Sequence, residues 1–397
     1  MATAFPRLWL DGEVVETTTA ALPLMGHPAQ RGSLVFDVAS FNPTAEGPAI
    51  FRAADHAARF LRSSSLVGLE VAYDAATLVH AAGDLVARSG LSRGLVRWSA
   101  WFATGEPDLL PRDRRVRVAA CVLSFDDPPR RAPIRVSVFD DARKAPAAVL
   151  SPEVKASGAY LGPMIGRRRA AEAGSDDVVL LDEDGALAEA PIANVFAVIA
   201  GALVTPPLGR ILPGITRRSV IELAREDGIE VREAPLRPDA FAGADEAFLT
   251  STSGPVAPIG WVNGRPLGAP APGPVTERLV ARLEDALGRR FERVYLAGSS
   301  SGAYFLAMMA LSGGAAFDGY AATSGGSAGR IAPEARRVPF YVGWATGDPT
   351  NGGPRSLAAG LEAAGWPVKT GIHPGGHGAR EVYLDEALRF FDGGATR

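Results

Sequence analysis

The pattern of apolar residues in this 397-residue chain changes near residue 290. Before that point strands and helices follow one another irregularly, which is typical of α+β domains. After it strand and helix alternate, which predicts an α/β sheet. Residues 283–291 pass from one pattern to the other without a flexible tether. We therefore expect a boundary between two parts of the chain near residue 290.

A second boundary is expected in the first half of the chain. Residues 124–133 are polar and rich in proline, and they separate two blocks of strands and helices. We therefore expect three parts: a small α+β domain at 1–126, a larger domain at 127–289 and a partial α/β sheet at 290–397.

Local signals predict individual elements within these parts. Asp11-Gly12 between apolar flanks is typical of a hairpin turn. Apolar residues at helical or alternating spacing predict the other elements. Helices are expected at 53–65, 75–89, 217–227, 275–287 and 304–311, and strands at 116–123, 194–198, 294–297 and 340–344.

The composition excludes several classes of protein. There are 41 basic and 44 acidic residues, and no run of like charge would bind nucleic acid or anionic lipid. No apolar stretch is long enough to predict a membrane span, and the start is too short for a signal peptide, so we expect a cytoplasmic protein. The single cysteine, Cys121, excludes a disulfide framework and a thiolate zinc cluster, and its apolar surroundings predict a buried, inert residue.

Lysine chemistry has only three candidates, Lys144, Lys155 and Lys369. Lys155 lies among small residues at 151–160, where an amine could be held close to a ligand. An enclosed lysine loses proton affinity and becomes able to form a Schiff base with an aldehyde cofactor. Taken alone, such a lysine is more often a surface residue, so its neighbours along the chain decide the interpretation.

Two further features fit an aldehyde cofactor that carries a phosphate. Glu189 stands just before an apolar strand, and a carboxylate beside a pyridine nitrogen keeps that nitrogen protonated. Residues 213–216, Pro-Gly-Ile-Thr, place free backbone N–H groups at a helix start, which suits an anion. The plainer alternatives are a solvated turn glutamate and an ordinary helix cap.

In combination these motifs resemble the class IV, or fold-type IV, pyridoxal-phosphate enzymes, most closely the branched-chain amino acid aminotransferases, over residues 6–288. The resemblance implies the two-domain fold of the D-amino-acid aminotransferase type, pyridoxal 5'-phosphate as cofactor, and a homodimer. It also implies transfer of an amino group from a branched-chain amino acid to 2-oxoglutarate. A lyase or a D-amino acid aminotransferase of the same fold stays open as an alternative.

The resemblance assigns roles to individual residues. Lys155 matches the lysine that forms the Schiff base and then moves a proton at the substrate α-carbon. Tyr160 matches the tyrosine beside the cofactor, and Glu189 the acid that pairs with the pyridine nitrogen. The residues that match the phosphate-binding groups are Arg59, Ile215, Thr216 and Thr252.

On the substrate side, Phe36 resembles an apolar wall of the pocket and Arg97 a pocket arginine that could meet a carboxylate. The sequence departs from the family pattern in three places. It has Asp37 where glutamate is usual, Ala190-Pro191 after Glu189, and Trp98-Ser99-Ala100-Trp101 in the strand expected to line the pocket. The cofactor site is therefore better determined than the substrate.

A second group of motifs lies after residue 290. Residues 298–302, Gly-Ser-Ser-Ser-Gly, fit G-x-S-x-G between an expected strand and helix, as a nucleophile elbow requires. Ser300, Asp348 and His377 follow in the chain order of α/β-hydrolase triads. Residues 291–397 resemble the C-terminal half of that family, near the serine esterases. His377 is the better base, because His373 precedes a proline and fits a structural turn.

The resemblance to a hydrolase is incomplete. The family's early strands, and the loop that supplies one oxyanion-hole N–H, should precede the elbow, yet the preceding residues belong to the aminotransferase pattern. Losing one such donor costs about 3–4 kcal/mol of transition-state stabilisation. The two resemblances together imply a fusion, natural or made, of a nearly complete aminotransferase with a truncated hydrolase. Serine esterase activity is one hypothesis for this last part, and an inert or assembly-driving appendage is the other.

Overall fold

The structure is a computed structural model that describes residues 3–44, 47–106, 108–124, 132–287, 295–313, 317–333 and 335–391. The chain forms two compact units, Met1–Arg290 and Phe291–Arg397. Within the described residues, the first unit contains two sheets and the second contains one.

The first sheet is antiparallel throughout and has six strands. In chain order its strands and accompanying helices are β1 (Ala4–Leu10), β2 (Glu13–Glu16), α1 (His27–Arg31), β3 (Val35–Thr44), β4 (Gly47–Ile50), α2 (Ala53–Leu66), α3 (Ala75–Ser89), β5 (Gly94–Phe102) and β6 (Val116–Leu123). The strand order across the sheet is β2-β1-β6-β5-β3-β4. α2 and α3 bury apolar residues against it, among them Phe60 and Leu85.

Local sequence explains where these elements begin and end. The β1–β2 hairpin turns at Asp11 and Gly12, whose φ angles of 50° and 102° are those that a primed turn requires. α3 begins after Asp74, whose side chain accepts a hydrogen bond from Thr77 N at 2.8 Å. It ends at Gly90 in the left-handed conformation. The expected helices at 53–65 and 75–89 are confirmed to within one residue.

The second sheet has nine strands and mixes parallel with antiparallel pairs. Its elements are β7 (Ile134–Ser137), α4 (Leu161–Glu172), β8 (Asp177–Val178), β9 (Glu189–Ala190), β10 (Ala193–Ile199), β11 (Ala202–Thr205), α5 (Ile215–Glu226), β12 (Val231–Glu233), α6 (Pro238–Ala242), β13 (Glu246–Thr250), β14 (Ala257–Val262), β15 (Arg265–Pro266) and α7 (Pro274–Ala286). The main strand order is β12-β11-β10-β13-β14-β7-β8.

Both faces of this sheet are buried at its centre, because its strands alternate between two apolar clusters. Phe196 and Phe248 stack with ring centroids 5.0 Å apart, in the cluster that includes α5 and α7. Val195 and Leu249, one residue along each strand, belong to the cluster on the other face. Alternate residues of a strand point to opposite faces, so the central strands read as continuous apolar runs.

The segment around residue 155 is hydrogen-bonded to the start of β3 in the first sheet. Phe36 N at the start of β3 donates to the carbonyl of Lys155 at 3.0 Å, and Ser157 N donates to Leu34 O at 2.8 Å. Gly158 N also donates to Gly32 O at 3.0 Å. Backbone hydrogen bonds therefore hold this short segment of the second half of the unit against the first sheet.

The described part of the second unit forms a four-stranded parallel sheet with helices on both faces. Its elements are β16 (Tyr295–Ser299), α8 (Ser301–Ser312), β17 (Gly319–Thr323), β18 (Phe340–Ala345), α9 (Gly352–Ala363), β19 (Val368–His373) and α10 (Glu381–Phe391). Leu306, Val342 and Leu357 pack on one face, and Tyr341 and Tyr383 on the other. Strand and helix alternate here as the sequence predicts.

Some boundaries and one burial differ from expectation. α8 begins at Ser301, three residues before the expected start, because the chain turns directly from β16 into the helix at Ser300. Cys121 is only partly buried, since it lies on the less covered face of β6. Residues 125–131 of the expected linker, the junction at 288–293 and Val294 of the expected strand lie outside the described residues. No helix in the described ranges has the length and apolar character to cross a membrane.

Candidate active site

Lys155 reaches a cavity in the first unit. The cavity encloses about 600 Å³ of space, part of it open to solvent, and its lining includes Lys155, Tyr160, Glu189 and Lys144. Val154 and Ala156, on either side of Lys155, are buried in the core of the first sheet. The packing of these two neighbours fixes the lysine backbone, so its side chain extends into the cavity.

The environment of the Lys155 amine lowers its proton affinity. Burial lowers the pKa of Lys155 from 10.5 to about 8, and the positive charge of Arg59 acts in the same direction, whereas Asp37 and Glu189 oppose it. Nζ donates a hydrogen bond to Tyr160 Oη at 2.8 Å. Burial raises the pKa of Tyr160 to about 12. A useful fraction of the amine is therefore uncharged at mildly alkaline pH, while the tyrosine keeps its proton.

Glu189 is held by donors on three sides. Its Oε2 accepts hydrogen bonds from Leu212 N at 3.0 Å and from Asn194 Nδ2 at 3.1 Å, and its Oε1 accepts one from Lys144 Nζ. A carboxylate has about four lone-pair sites, so Glu189 can still accept one more hydrogen bond from a ligand. The position suits a carboxylate that faces a ring nitrogen.

Sequence reasoning did not assign roles to Lys144 and Asn194 at this site. A Cβ added to Gly214 would lie 1.9 Å from Asn194 Oδ1, so only glycine allows Asn194 to approach the start of α5. Asn194 also donates to Leu212 O at 3.1 Å. The scarcity of lysine was the one signal for Lys144; nothing local identified Asn194.

Asp37 anchors a buried ionic network behind the cavity. The fully buried carboxylate accepts hydrogen bonds from Arg59 Nε at 2.7 Å, from Arg59 Nη2 at 2.8 Å and from His56 Nδ1 at 2.7 Å. Burial alone would raise the pKa of Asp37, but Arg59 and His56 outweigh it and hold that pKa well below its usual range. The aspartate that departs from the family pattern thus orients Arg59 with both of its oxygens.

Arg59 is placed at the N-terminus of α5. Its Nη1 donates to Pro213 O at 3.2 Å, one residue before Gly214 at the helix N-cap. The first N–H groups of α5, including those of Ile215 and Thr216, have no partner within the helix. A guanidinium beside a helix N-terminus concentrates positive potential, which fits a phosphate.

Thr252 is tied to the strand that carries Asp37, because its Oγ1 donates to Val38 O at 3.3 Å. Of the four residues expected at the phosphate, Arg59 therefore lies at the start of α5 with Ile215 and Thr216, whereas Thr252 is held to β3.

Phe36 and Arg97 lie beside Lys155 on neighbouring strands of the first sheet. The guanidinium carbon of Arg97 is 4.0 Å from the centroid of the Phe36 ring, and Lys155 Nζ is 5.1 Å from the same centroid. The Phe36 and Tyr160 rings are 5.4 Å apart. Burial lowers the pKa of Arg97, and no carboxylate of the described residues pairs with it. Arg97 is therefore a partly buried cation that remains available to a substrate carboxylate.

The strand expected to line the pocket, β5, carries Arg97 beside Phe36, but Trp98 lies on the opposite face of that strand. Its side chain is fully buried in the core of the first sheet, and Nε1 donates to Leu78 O at 3.1 Å. Trp101 packs instead with Leu8 and Leu10. Because alternate residues of β5 face opposite sides, Arg97 is turned away from the core that holds Trp98.

The second unit contains a sharp turn at Ser300. Its φ of 53° and ψ of −120° are strained for a residue other than glycine, and Ser300 N donates to Thr323 O at 2.9 Å. A Cβ on Gly298 would lie 2.7 Å from the backbone of Gly302, so glycine is required at the first position of the motif. These are the features of a nucleophile elbow.

Ser300, His377 and Asp348 form a continuous hydrogen-bonded chain. His377 Nε2 lies 2.9 Å from Ser300 Oγ, and His377 Nδ1 lies 2.9 Å from Asp348 Oδ2. Burial alone would raise the pKa of Asp348, but hydrogen bonds from Thr350 and His377 outweigh it and lower that pKa. His373 pairs with Glu386 at 2.9 Å instead. The arrangement matches a serine nucleophile, its base and an orienting acid.

Comparison with known proteins identifies the family to which the first unit belongs. The family model for amino-transferase class IV matches residues 34–261. The branched-chain-amino-acid aminotransferase of Pseudomonas aeruginosa is 29% identical over 289 residues, which cover 72% of this chain and 94% of that protein. The corresponding protein of Salmonella typhimurium is 30% identical over 282 residues, 68% of this chain and 90% of that protein.

Solved structures agree with this result. The branched-chain aminotransferase of Thermoproteus uzoniensis with norvaline has a TM-score of 0.68 at 29% identity, covering 72% of this chain and 96% of that one. The branched-chain amino acid aminotransferase of Thermobaculum terrenum in its PLP-form has a TM-score of 0.67 at 27% identity, covering 72% and 96%. The chain therefore belongs to the class IV aminotransferases, and it is a pyridoxal-phosphate-dependent transaminase of the fold-type IV class.

Proposed function

We propose that the first unit transfers the amino group of a branched-chain L-amino acid to 2-oxoglutarate, with Lys155 as the reacting amine. The observation that carries the proposal is the Lys155 amine itself, whose pKa is lowered to about 8 beside Tyr160 and Arg97. The relatives named above, which are branched-chain aminotransferases, support the substrate class.

The residues present fit pyridoxal phosphate. When bound, this group supplies an aldehyde carbon and a ring that withdraws electrons from the substrate α-carbon. Glu189 would hold the ring nitrogen, and Tyr160 would lie beside the ring. The phosphate would be held by Arg59, by the N–H groups of Ile215 and Thr216, and by Thr252.

Lys155 would act as the general base and acid of the reaction. Its uncharged Nζ removes a proton from the substrate α-carbon and later returns one. Tyr160 Oη, 2.8 Å from Nζ, orients the amine. Since Arg59 and burial both disfavour the charged amine, the site keeps Nζ ready to accept a proton.

Phe36 and Arg97 would divide the recognition of the two substrates. The Phe36 ring offers an apolar surface to a branched side chain, and Arg97 offers a cation to the second carboxylate of 2-oxoglutarate. One pocket could then accept an apolar and an acidic side chain in alternate half-reactions.

A homodimer is also proposed. Apolar residues are exposed on two loops of the first unit, at Leu24 and Met25 and at Leu109 and Leu110, with 60% to 80% of the surface of each residue exposed. His27 Nε2 lies 3.0 Å from Leu109 O, which links the two loops. Apolar surface of this kind commonly marks a protein interface. A cytoplasmic location stays a prediction from the sequence.

The near-visible absorption spectrum of the protein tests the proposed transamination. A yellow protein whose band declines when leucine is added, and returns with 2-oxoglutarate, is expected. A protein that stays colourless with added pyridoxal phosphate would contradict the proposal. D-leucine in place of L-leucine separates it from a D-amino acid aminotransferase.

A second candidate function belongs to the second unit, which we propose is a serine esterase. The assembled chain from Asp348 through His377 to Ser300 favours it. The backbone N–H of Ser301, at the first position of α8, would supply one donor to the oxyanion. In the described part of this unit β16 is an edge strand, so the loop that usually supplies the second donor has no counterpart there, and slow turnover is expected.

Hydrolysis of p-nitrophenyl acetate by the full chain tests this candidate. Turnover that disappears in Ser300→Ala, while transamination is unchanged, is expected. Ser312→Ala is the matched control, because Ser312 lies at the far end of the same helix. Equal hydrolysis by Ser300→Ala and the parent would refute an esterase site at Ser300.

A further inference from the structure

Thr350 makes two hydrogen bonds to one oxygen of Asp348. Its backbone N donates to Asp348 Oδ1 at 2.8 Å, and its Oγ1 donates to the same oxygen at 2.7 Å. The other carboxylate oxygen, Oδ2, is left to face His377. The threonine, two residues after the aspartate, therefore sets the rotation of the carboxylate.

The same hydroxyl also faces the imidazole. Thr350 Oγ1 lies 3.1 Å from His377 Nδ1. Since the hydroxyl proton is directed to Asp348 Oδ1, only a lone pair of Oγ1 is available to the ring nitrogen. His377 Nδ1 thus meets two acceptors, Thr350 Oγ1 and Asp348 Oδ2, and no donor among the residues that the structure describes. This arrangement favours a proton on Nδ1 and leaves the lone pair of Nε2 facing Ser300 Oγ at 2.9 Å.

We propose that Thr350 is a positioning residue of the Ser300 site, whose hydroxyl holds the Asp348 carboxylate in place and keeps the proton of neutral His377 on Nδ1. The inference rests on the proposed esterase function. Thr350 itself contacts no reacting atom; it acts through His377 and Asp348.

The structure separates this role from that of a simple turn residue. Backbone bonds hold the turn without the hydroxyl: Asn351 N donates to Asp348 O at 3.2 Å, and Gly353 N donates to Thr350 O at 3.3 Å. Thr350→Val keeps the branched shape and these backbone bonds and removes only the hydroxyl. Thr350→Ser restores a hydroxyl.

Thr346→Val is the matched control. Thr346 lies in the same loop two residues before Asp348, and its hydroxyl makes no hydrogen bond within the described part of the chain. The substitution therefore makes the same chemical change near the triad without touching it.

The first measurement is the rate at which a fluorophosphonate labels Ser300 in the full chain. In this reaction Oγ forms a bond to phosphorus, fluoride leaves, and the serine proton passes to His377 Nε2. We expect Thr350→Val to label about 10 to 100-fold more slowly, as loss of one charge-assisted hydrogen bond predicts. Thr350→Ser and Thr346→Val should label within about threefold of the parent.

The second measurement is the ¹⁵N spectrum of the five histidines at a pH where they are neutral, with His377 assigned from a His377→Gln variant. The parent should show His377 with its proton on Nδ1. In Thr350→Val part of the population should move to the Nε2–H tautomer. A threonine with a merely structural role would leave the tautomer unchanged.

The two measurements distinguish a failure of the Thr350 proposal from a failure of the esterase proposal. Suppose that Ser300 of the parent reacts with the fluorophosphonate, and that Thr350→Val reacts equally fast and shows the same His377 tautomer. The proposed role of Thr350 is then wrong, and the esterase proposal stands. If the parent does not label, the esterase proposal fails, and the tautomer of His377 in Thr350→Val still decides whether Thr350 positions the imidazole.

Discussion

The proposed sites at Lys155 and Ser300 would prepare a reactive atom in opposite ways. At Lys155 burial and the charge of Arg59 lower the pKa of the amine, so the residue is made reactive by its surroundings as a whole. At Ser300 the proposed base, His377, has 40% of its side-chain surface exposed, and reactivity would depend on one chain of hydrogen bonds through His377 to the buried Asp348.

The two proposed sites should therefore be sensitive to different kinds of substitution. The Lys155 site depends on desolvation and charge, whose effects are spread over several groups, including Asp37, Arg59 and Glu189. The Ser300 site depends on the direction of individual donors, so exchanging one acceptor for a donor should disable it.

The largest effect is expected from Lys155→Ala. Transamination should fall by at least about 10⁴-fold, because both the bond to the cofactor and the proton transfer need Nζ. Ester hydrolysis by the second unit should be unchanged. Lys369→Ala, at the exposed lysine on β19, is the control for loss of a positive charge. A Lys155→Ala enzyme with a tenth of the parent activity would contradict the assignment.

The substitution expected to disable the proposed esterase site is Asp348→Asn. The amide offers an N–H₂ where His377 Nδ1 needs an acceptor, so ester hydrolysis should fall by about 10³ to 10⁴-fold. Transamination should not change. Asp385→Asn, on the exposed side of α10, removes a similar charge elsewhere in the unit. Retained hydrolysis in Asp348→Asn would show that the triad is not the working site.

The pH dependence of stability tests the burial of Lys155 in the cofactor-free protein. Its pKa falls from 10.5 to about 8 on folding, so between those values the unfolded chain binds more protons and stability rises with pH. From pH 8 to 10 the parent should gain about 2–3 kcal/mol relative to Lys155→Met. Denaturant unfolding of both proteins at several pH values measures this difference. Parallel stability curves would mean that the amine is solvated.

The smallest effect is expected from Arg97→Lys. The positive charge remains, but the planar fork that meets a carboxylate is lost, so the KM for 2-oxoglutarate should rise about tenfold. The KM for leucine should change little. Arg117→Lys, on the neighbouring strand and paired with Asp11, is the control. Equal KM changes for both substrates would remove Arg97 from acceptor recognition.

Much of both sites was predictable from short stretches of sequence. Each of three motifs lies within about ten residues of sequence: Lys155 with its small neighbours, the Pro-Gly-Ile-Thr segment and the G-x-S-x-G motif. Such signals depend on backbone conformation, which neighbours along the chain largely determine. The placement of His377 rather than His373 at Ser300 was also anticipated, from the proline after His373.

Other features could not be predicted, because they join residues far apart in the sequence. Lys144 meets Glu189 across 45 residues, and Arg59 reaches Pro213 across 154. The core position of the Trp98 side chain likewise depends on which face of β5 meets α3, and the local sequence does not specify that face.

The sequence by itself determined the aminotransferase pattern of the first unit, the change to alternating strands and helices near residue 290, and the local turns at the two proposed sites. Only the tertiary structure decided how those groups are tuned. Burial of Lys155, the rotation of Asp37 and the acceptors around His377 depend on atoms from distant segments. Electrostatic and hydrogen-bond effects fall off over a few ångströms, so they follow proximity in space and leave no trace in the local order of residues.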